Sequence, residues 1–516
     1  QTEALGDLAF LRYGDERWTY AEHLGIVRGL AARWASLGVR KGDRVAIAMR
    51  NYPEFVFTFW VTQALGAIAV PLNAWWTASE LSYALHDCRP VLLVADSERI
   101  ERLERELPEL GIDRVLAVRT RRAFDDDVVV AWDDELAAID ASAPFPAVEV
   151  EPDDDSTILY TSGTTGAPKG AVATHRNHTT NLRNGELEGA VAAEMTGAAT
   201  PHTRAQPSRL QVFPLFHIAG LNTLYLALAA GARLSLMHRW DADTALRLID
   251  EESISVISMV PSVLRDLLDR ADALGESLDG ITRVSMGGAP IPPELVRRVE
   301  ARFHGRVVPG NGYGLTETTS AVVTNSGDEY FAHPDSLGRP VPVADLRIVD
   351  PDSGSDVAPG EVGELWIRGP NIVRGYWQRP HETAAAFTDG WFHTGDLGRI
   401  DDEGLVYVVD RLKDVILRSG ENVYCAEVEA VLAAHAAVAD VAVIGLPHPD
   451  WGEEVVAVVE VEPGSTVDVT VLRAHAARTL AHFKVPTRVE LIDRELPRTA
   501  TGKVLKRDLR AMFAEG

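Results

Sequence analysis

Amphipathic segments alternate with short apolar runs from the start of the chain, and this alternation limits the possible folds most. Ala21 to Ser36 reads as a helix closed by Gly38, Asp43 to Ala48 as a strand, and Pro53 to Leu65 as a helix. Ala67 to Val70 then reads as a strand, Ser79 to Leu85 as a helix, and Val91 to Ala95 as a strand. Strands separated by helices need crossover connections, so the pattern predicts parallel βαβ units with helices on both sheet faces. The segment Phe55 to Leu72 is interrupted by Thr58, Thr62, Gln63 and Pro71, so it fits a buried helix and a strand better than a membrane span. No stretch near Gln1 has the basic-then-apolar pattern of a secretory leader.

Composition narrows the partners. The 516 residues carry 50 basic and 76 acidic side chains, a net charge of −26, which disfavours nucleic acid and a polybasic membrane anchor. Two cysteines, Cys88 and Cys425, exclude a disulfide framework and fit a reducing, cytoplasmic setting. The scattered histidines show no zinc-ligand spacing, and no GxSxG elbow is present. Gly189 to Ser208 is rich in Ala, Gly, Thr and Pro and is expected to be a mobile surface loop. Near Asp410 a β-rich run (Gly363 to Arg368, Gly404 to Val409) gives way to a helix at Ala426 to His435. Strands at Val438 to Leu446 and Val455 to Val461, then a helix at Thr470 to Leu480, complete a small α+β region.

The densest chemistry lies in Leu159-Tyr160-Thr161-Ser162-Gly163-Thr164-Thr165-Gly166-Ala167-Pro168-Lys169-Gly170. Glycines let backbone N–H groups approach an anion, hydroxyls donate hydrogen bonds, and Lys169 adds a point charge. That combination suits a polyphosphate. Pro168 stands where a Walker A loop needs glycine, so the P-loop reading fails. A second segment, Asn311-Gly312-Tyr313-Gly314-Leu315-Thr316-Glu317-Thr318, sets an aromatic ring among glycines beside a hydroxyl and a carboxylate. It suits purine stacking and a divalent cation near phosphates, and Leu315 breaks a dinucleotide GxGxxG spacing. Thr394-Gly395-Asp396 offers a carboxylate able to accept from two ribose hydroxyls.

The Leu159–Gly170 segment resembles the signature loop of the adenylate-forming superfamily: acyl-CoA synthetases, peptide-synthetase adenylation domains and firefly-type luciferases. The later motifs follow in that family's order, from about Trp18 to Arg510, most like bacterial fatty-acid-type acyl-CoA ligases. The resemblance implies an α/β fold. Its large N-terminal compound domain (1–412) has βαβ subdomains and a β-barrel-like part, and residues 413–516 form a small mobile lid. It implies ATP, Mg²⁺ and CoA as cofactors and a carboxylic acid as substrate, in a monomer or homodimer.

The resemblance also assigns roles. Thr161, Ser162, Gly163, Thr164, Thr165, Gly166 and Lys169 would grip the β- and γ-phosphates. Tyr313, with Asn311, Gly312 and Gly314, would pack on adenine, Thr316 would contact the α-phosphate, and Glu317 would ligate Mg²⁺. Asp396 would hold the ribose with Arg411 nearby, Lys413 would be the hinge, and Lys503 would reach the reacting oxygens. Gly287, Gly288 and Ala289 would border adenine and the acyl pocket, His217 would guard the thiol entrance, and Ser419, Gly420 and Glu421 would line the pantetheine tunnel. Cys425 departs from the Pro or Ser common there. Small residues at Gly220, Gly287 and Gly288 are expected to leave room for a medium-to-long fatty or bulky acid. Two other readings stay open: transfer to a carrier-protein phosphopantetheine instead of CoA, and a catalytically silent binding protein. Lys169, Glu317, Asp396 and Lys503 are all present, which disfavours the second.

Overall fold

The computed structural model describes residues 2–122, 128–161, 168–195, 206–289, 291–304, 306–462, 464–499 and 502–514. Residues 1–332, 340–345 and 368–392 form one compact unit; residues 333–339, 346–367 and 393–516 form another.

The larger unit is built on two sheets. One runs Val129–Ala131, Arg114–Val118, Leu92–Asp96, Arg44–Ala48, Ile68–Pro71, Asp155–Thr161, Lys169–Thr174. Its pairs are parallel except the last, so the expected βαβ units are present and the phosphate-loop motif joins an antiparallel pair at the sheet edge. The second runs Ser320–Ser326, Val308–Leu315, Arg283–Gly287, Val256–Met259, Ser208–Gln211, Arg233–Leu236, Ala9–Tyr13, Glu16–Thr19. Here too only the outermost of these pairs are antiparallel.

Helices Tyr20–Ser36, Pro53–Ala64 and Ile218–Ala230 contribute to one apolar core shared by both sheets. Local chemistry sets their ends. Thr19 and Glu22 close a reciprocal capping box on the first, and Pro53 opens the second where a missing N–H costs nothing. Helix Pro53–Ala64 is apolar nearly all round, with Phe55, Val56, Phe59 and Val61 buried, as a helix enclosed by other elements must be. The segment once weighed as a membrane span is this helix plus strand Ile68–Pro71. Among the described residues no helix is long and apolar enough to cross a membrane.

One expectation is overturned. Residues 189–195 are not loop but the last turns of helix His175–Met195, and Ser208 opens a strand; residues 196–205 of the expected loop lie outside the described residues. Small residues do not prevent a helix when alanine, the best helix former, dominates.

In the smaller unit, strands Asp345–Val349, Gly363–Arg368, Trp391–Ile400 and Val406–Arg411 follow one another across a sheet. A second sheet runs Glu421–Val423, Ile416–Arg418, Gly452–Val461, Val438–His448, and Arg488–Ile492 pairs parallel with Gly452–Val461. Its residues alternate strictly. Val441, Val443, Val455, Ala457 and Val459 bury against helices Cys425–Ala433 and Val469–Ala476. Ala442, Ile444, Leu446, Val456 and Val458 bury against helix Lys506–Phe513.

Candidate functional site

The chemistry of the larger unit converges on the ends of the two sheets. Thr161 and Lys169 face each other across the antiparallel pair, and Ser162 to Gly166 lie outside the described residues. Tyr160, just before the loop, donates its hydroxyl to Asp87 at 2.7 Å, and Asp87 also takes Arg379 at 2.6 Å. Lys169 sets its ammonium 5.3 Å from the centre of the Tyr376 ring. The hydroxyl of the same tyrosine donates to Glu317 Oε1 at 2.8 Å. Burial and the neighbouring carboxylate push the Tyr376 phenol far above its ordinary pKa, so it stays a donor. One aromatic ring thus connects the expected phosphate-binding cation to the expected metal-binding carboxylate.

Backbone pairing holds that ring in place. Arg374 N–H donates to Val172 O at 3.2 Å, Val172 N–H to Gly375 O at 2.9 Å, and Trp377 N–H to Gly170 O at 2.7 Å. The segment thereby adds to the edge strand Lys169–Thr174. At its start, Val373 N–H donates to the Glu317 carbonyl at 2.9 Å. Tyr376 was not among the sequence-derived candidates; the only local signal is an aromatic residue following Arg374-Gly375.

Glu317 sits in a tight turn. Thr318 Oγ1 accepts from Leu315 N–H at 2.8 Å and donates to Ser320 O at 2.7 Å; Asn371 donates to Thr318 O at 3.0 Å. Thr319 and Ser320 both take positive φ, 50° and 92°. Gly314 is required by this return: a Cβ there would lie 1.9 Å from Ser320 O. Tyr313 precedes it, half-buried, and Asn311 is buried. Thr316 is half-buried in the same turn. A buried carboxylate is a hard oxygen donor that suits Mg²⁺, which is commonly held by one or two carboxylates plus substrate phosphates. Among the described residues no group of three or more histidine, cysteine or carboxylate side chains could hold a metal by itself.

The glycines expected to make room for the substrate divide. A Cβ on Gly220 would lie 2.2 Å from Pro214 O, and one on Gly287 would lie 2.9 Å from Gly312 O. Those spaces are filled by backbone, so the expected acyl room at these two positions is corrected. Gly288 meets only Val260 and Phe213 side chains at 3.6 and 3.9 Å, beside half-buried Ala289. His217 caps helix Ile218–Ala230, its Nδ1 accepting from Ala219 N–H at 3.3 Å.

In the smaller unit, Asp396 and Arg411 are directly opposite in register, and their side chains pair at 3.2 Å. Asp396 N–H donates to Thr394 Oγ1 at 3.0 Å, and Gly395 N–H to Glu364 at 2.9 Å, which fixes the bend. Asp410 accepts from the N–H groups of Cys425 and Ala426, which anchors the start of helix Cys425–Ala433. Cys425 donates its thiol to Asp414 O at 3.0 Å, and burial pushes that thiol up to about 12. Lys413 is exposed in the one-turn helix Leu412–Asp414. Ser419 and Gly420, with φ of 54° and 84°, form the two-residue turn between Arg418 and Glu421. Lys503 is exposed on a turn closed by Thr499 N–H to Lys503 O at 2.7 Å.

Residues 1–377 match the family described as "AMP-binding enzyme", and residues 427–503 match "AMP-binding enzyme C-terminal domain". Feruloyl-CoA synthase of an Amycolatopsis species is 36% identical over 504 residues, covering 98% of this chain and 95% of that protein. Long-chain-fatty-acid–CoA ligase FadD13 of Mycobacterium tuberculosis is 35% identical over 506 residues, covering 97% of this chain and 94% of that protein. Among solved structures, o-succinylbenzoate coenzyme A synthetase of Bacillus subtilis, in complex with ATP and magnesium ion, superposes with a TM-score of 0.83. It is 30% identical and covers 98% of both chains.

Proposed function

Because the chain belongs to the AMP-binding enzymes, the adenylate-forming superfamily, we propose that it activates a carboxylic acid with ATP and transfers the acyl group to CoA. The observation that carries this reading is the Lys169–Tyr376–Glu317 arrangement, which sets a cation over one ring and a buried carboxylate at its hydroxyl. The curated relatives named above are CoA ligases or synthetases acting on aromatic and long-chain fatty acids, which supports CoA as the acceptor.

A carboxylate oxygen is a poor leaving group, so it must be converted to a phosphate ester before a thiol can displace it. In the first half-reaction a carboxylate oxygen attacks the α-phosphorus of ATP, the bond to the bridging oxygen breaks, and pyrophosphate leaves. All reactants are anionic, so the site's work is to cancel charge. Lys169 and the loop from Thr161 hold the β- and γ-phosphates, and Thr316 donates to the α-phosphate. Tyr313 packs on the adenine, Asp396 accepts from the ribose hydroxyls, and Arg411 steadies that carboxylate. Lys503 supplies positive charge at the reacting oxygens. Glu317 would hold Mg²⁺, which would supply further positive charge against the phosphates. In the second half-reaction the CoA sulfur attacks the acyl carbon, the carbon–oxygen bond to AMP breaks, and AMP leaves. Lys413 is the pivot at which the lid residues 413–516 change role. Ser419, Gly420 and Glu421, with His217, border the path of the thiol.

Carboxylate-dependent pyrophosphate release, measured with and without CoA across aliphatic, aromatic and amino acids, tests the reading. Aliphatic or aromatic acids should release pyrophosphate, and CoA should convert the adenylate to a thioester. A response to amino acids alone, or transfer only to a phosphopantetheinylated carrier protein, would overturn it.

A further inference from the structure

Central strands of a parallel sheet are normally buried on both faces. In the second sheet of the larger unit they are not. Leu210, Ile257 and Val284 are buried in the apolar core on one face. On the other face, Arg209, Val256 and Arg283 stand in one register row, and Gln211, Ser258 and Ser285 in the next. Five of these six are only half-buried, Gln211 being the exception. The face is small and polar, and helix His175–Met195 lies over it: a Cβ on Gly189 would sit 3.9 Å from an Arg283 guanidinium nitrogen. The row leads to Gly287 at the strand's carboxyl end, where ligands of open α/β sheets bind. Four residues of strand separate Gly287 from Arg283, roughly 13 Å.

Among the described residues neither guanidinium forms an ion pair. Among the described residues Arg209 Nε is buried without a hydrogen-bond partner. Burial, with Arg283 beside it, pulls the Arg209 pKa down to about 10. Among the described residues Glu188, on the covering helix, is the one carboxylate that acts on Arg283, and it also bonds Thr324. Among these described groups, two arginines and one glutamate leave one positive charge uncompensated with Glu188 ionised, and two with it protonated. Asn184, one turn before Glu188, and Gln211 are each under 10% exposed and keep a polar atom, Nδ2 and Oε1, without a partner among the described residues. A buried charge is costly unless paired, so this face is incomplete by itself.

Building on the adenylation reading, we propose that this face is the acyl site and that Arg209 and Arg283 receive a second carboxylate at the far end of the substrate. The enzyme therefore prefers a dicarboxylic acid to a plain fatty acid of equal length. Gln211, Ser285 and Asn184 flank the tail and tolerate polar substituents along it. Selectivity arises at the distal end, remote from the reacting carboxylate.

The test uses the full chain and pyrophosphate release with three matched acid series: unbranched monocarboxylic acids, the corresponding α,ω-dicarboxylic acids, and their monomethyl esters. A distal carboxylate making charge-assisted hydrogen bonds should raise kcat/KM about 10- to 100-fold over the monoacid. The half-ester, which lacks the distal charge, should lose that advantage. Arg209→Met should raise KM for the diacid by a similar factor and bring the diacid-to-monoacid ratio of kcat/KM close to one. Monoacids or half-esters equal to diacids in the wild-type enzyme would overturn the proposal while leaving adenylation intact. A folded Arg209→Met that keeps the preference would also overturn it. If no acid releases pyrophosphate, the adenylation reading fails. Calorimetric binding of diacid against half-ester then judges the arginine site separately, equal affinity refuting it.

Discussion

Replacing Tyr376 by Phe removes one oxygen and leaves the ring. The lost interaction is the 2.8 Å hydrogen bond to Glu317 Oε1, made to a buried carboxylate. Hydrogen bonds to charged partners are worth about 1.5–3 kcal/mol. At about 1.4 kcal/mol per decade this corresponds to about a 10- to 150-fold effect. The ring that faces Lys169 at 5.3 Å survives in the Phe variant, so its cation–π contribution is retained. Tyr376→Leu removes that as well and should cost a further few-fold at about 0.5–1 kcal/mol. The measurement is acid-dependent ATP–pyrophosphate exchange, titrated with Mg²⁺ at fixed ATP, with thermal unfolding followed in parallel. Tyr376→Phe should raise the Mg²⁺ requirement about tenfold or more. It should leave thioester formation from supplied acyl-AMP and CoA near the wild-type rate. In a Glu317→Gln background the same change should have little further effect, because interacting residues are not additive. An unchanged Mg²⁺ profile, or full additivity with Glu317→Gln, refutes a positioning role for Tyr376.

Lys503→Ala should lower acid-dependent pyrophosphate exchange about 10²- to 10³-fold while still converting supplied acyl-AMP plus CoA to thioester; equal loss in both assays contradicts its assignment to the first half-reaction. Gly420→Leu should do the reverse. Its φ of 84° strains any L side chain by about 1–2 kcal/mol, so thioester formation should fail before pyrophosphate exchange does; intact CoA turnover removes the tunnel assignment. His23 and His178 are buried, and burial lowers each pKa to about 3. Below the unfolded value of about 6.5 the unfolded chain binds protons that the folded chain excludes, so stability falls with pH. From pH 7 to pH 5 each should cost about 2 kcal/mol, seen as a falling denaturation midpoint that flattens in His23→Gln.

What the sequence made legible is local. The Tyr313–Glu317 turn and the Asp396 bend are each written in consecutive residues, because glycine and hydroxyl side chains dictate the backbone there. The helix and strand alternation was equally readable, since each element's period lies within its own window. Misreadings came where composition stood in for geometry. Residues 189–195, at the start of an Ala- and Gly-rich stretch, looked like loop, yet they continue helix His175–Met195. Gly220 and Gly287 looked like space, yet Pro214 and Gly312 backbone oxygens occupy it.

The relations that most constrain function were invisible for a different reason. Tyr376 reaches Glu317 across 59 positions of chain, and nothing in either segment names the other. They meet because Val373–Trp377 pairs with the edge strand Lys169–Thr174 and the Glu317 turn at once. Arg209 and Arg283 share a row only because each is in register with Val256. A shift of one residue in either strand would send one guanidinium to the apolar face, where Ile257 and Val284 are buried. On the proposed distal-carboxylate site, substrate choice depends on strand register as much as on which residues are present. It follows that swapping Arg209 with its neighbour Leu210 should harm both folding and selectivity, although composition is unchanged.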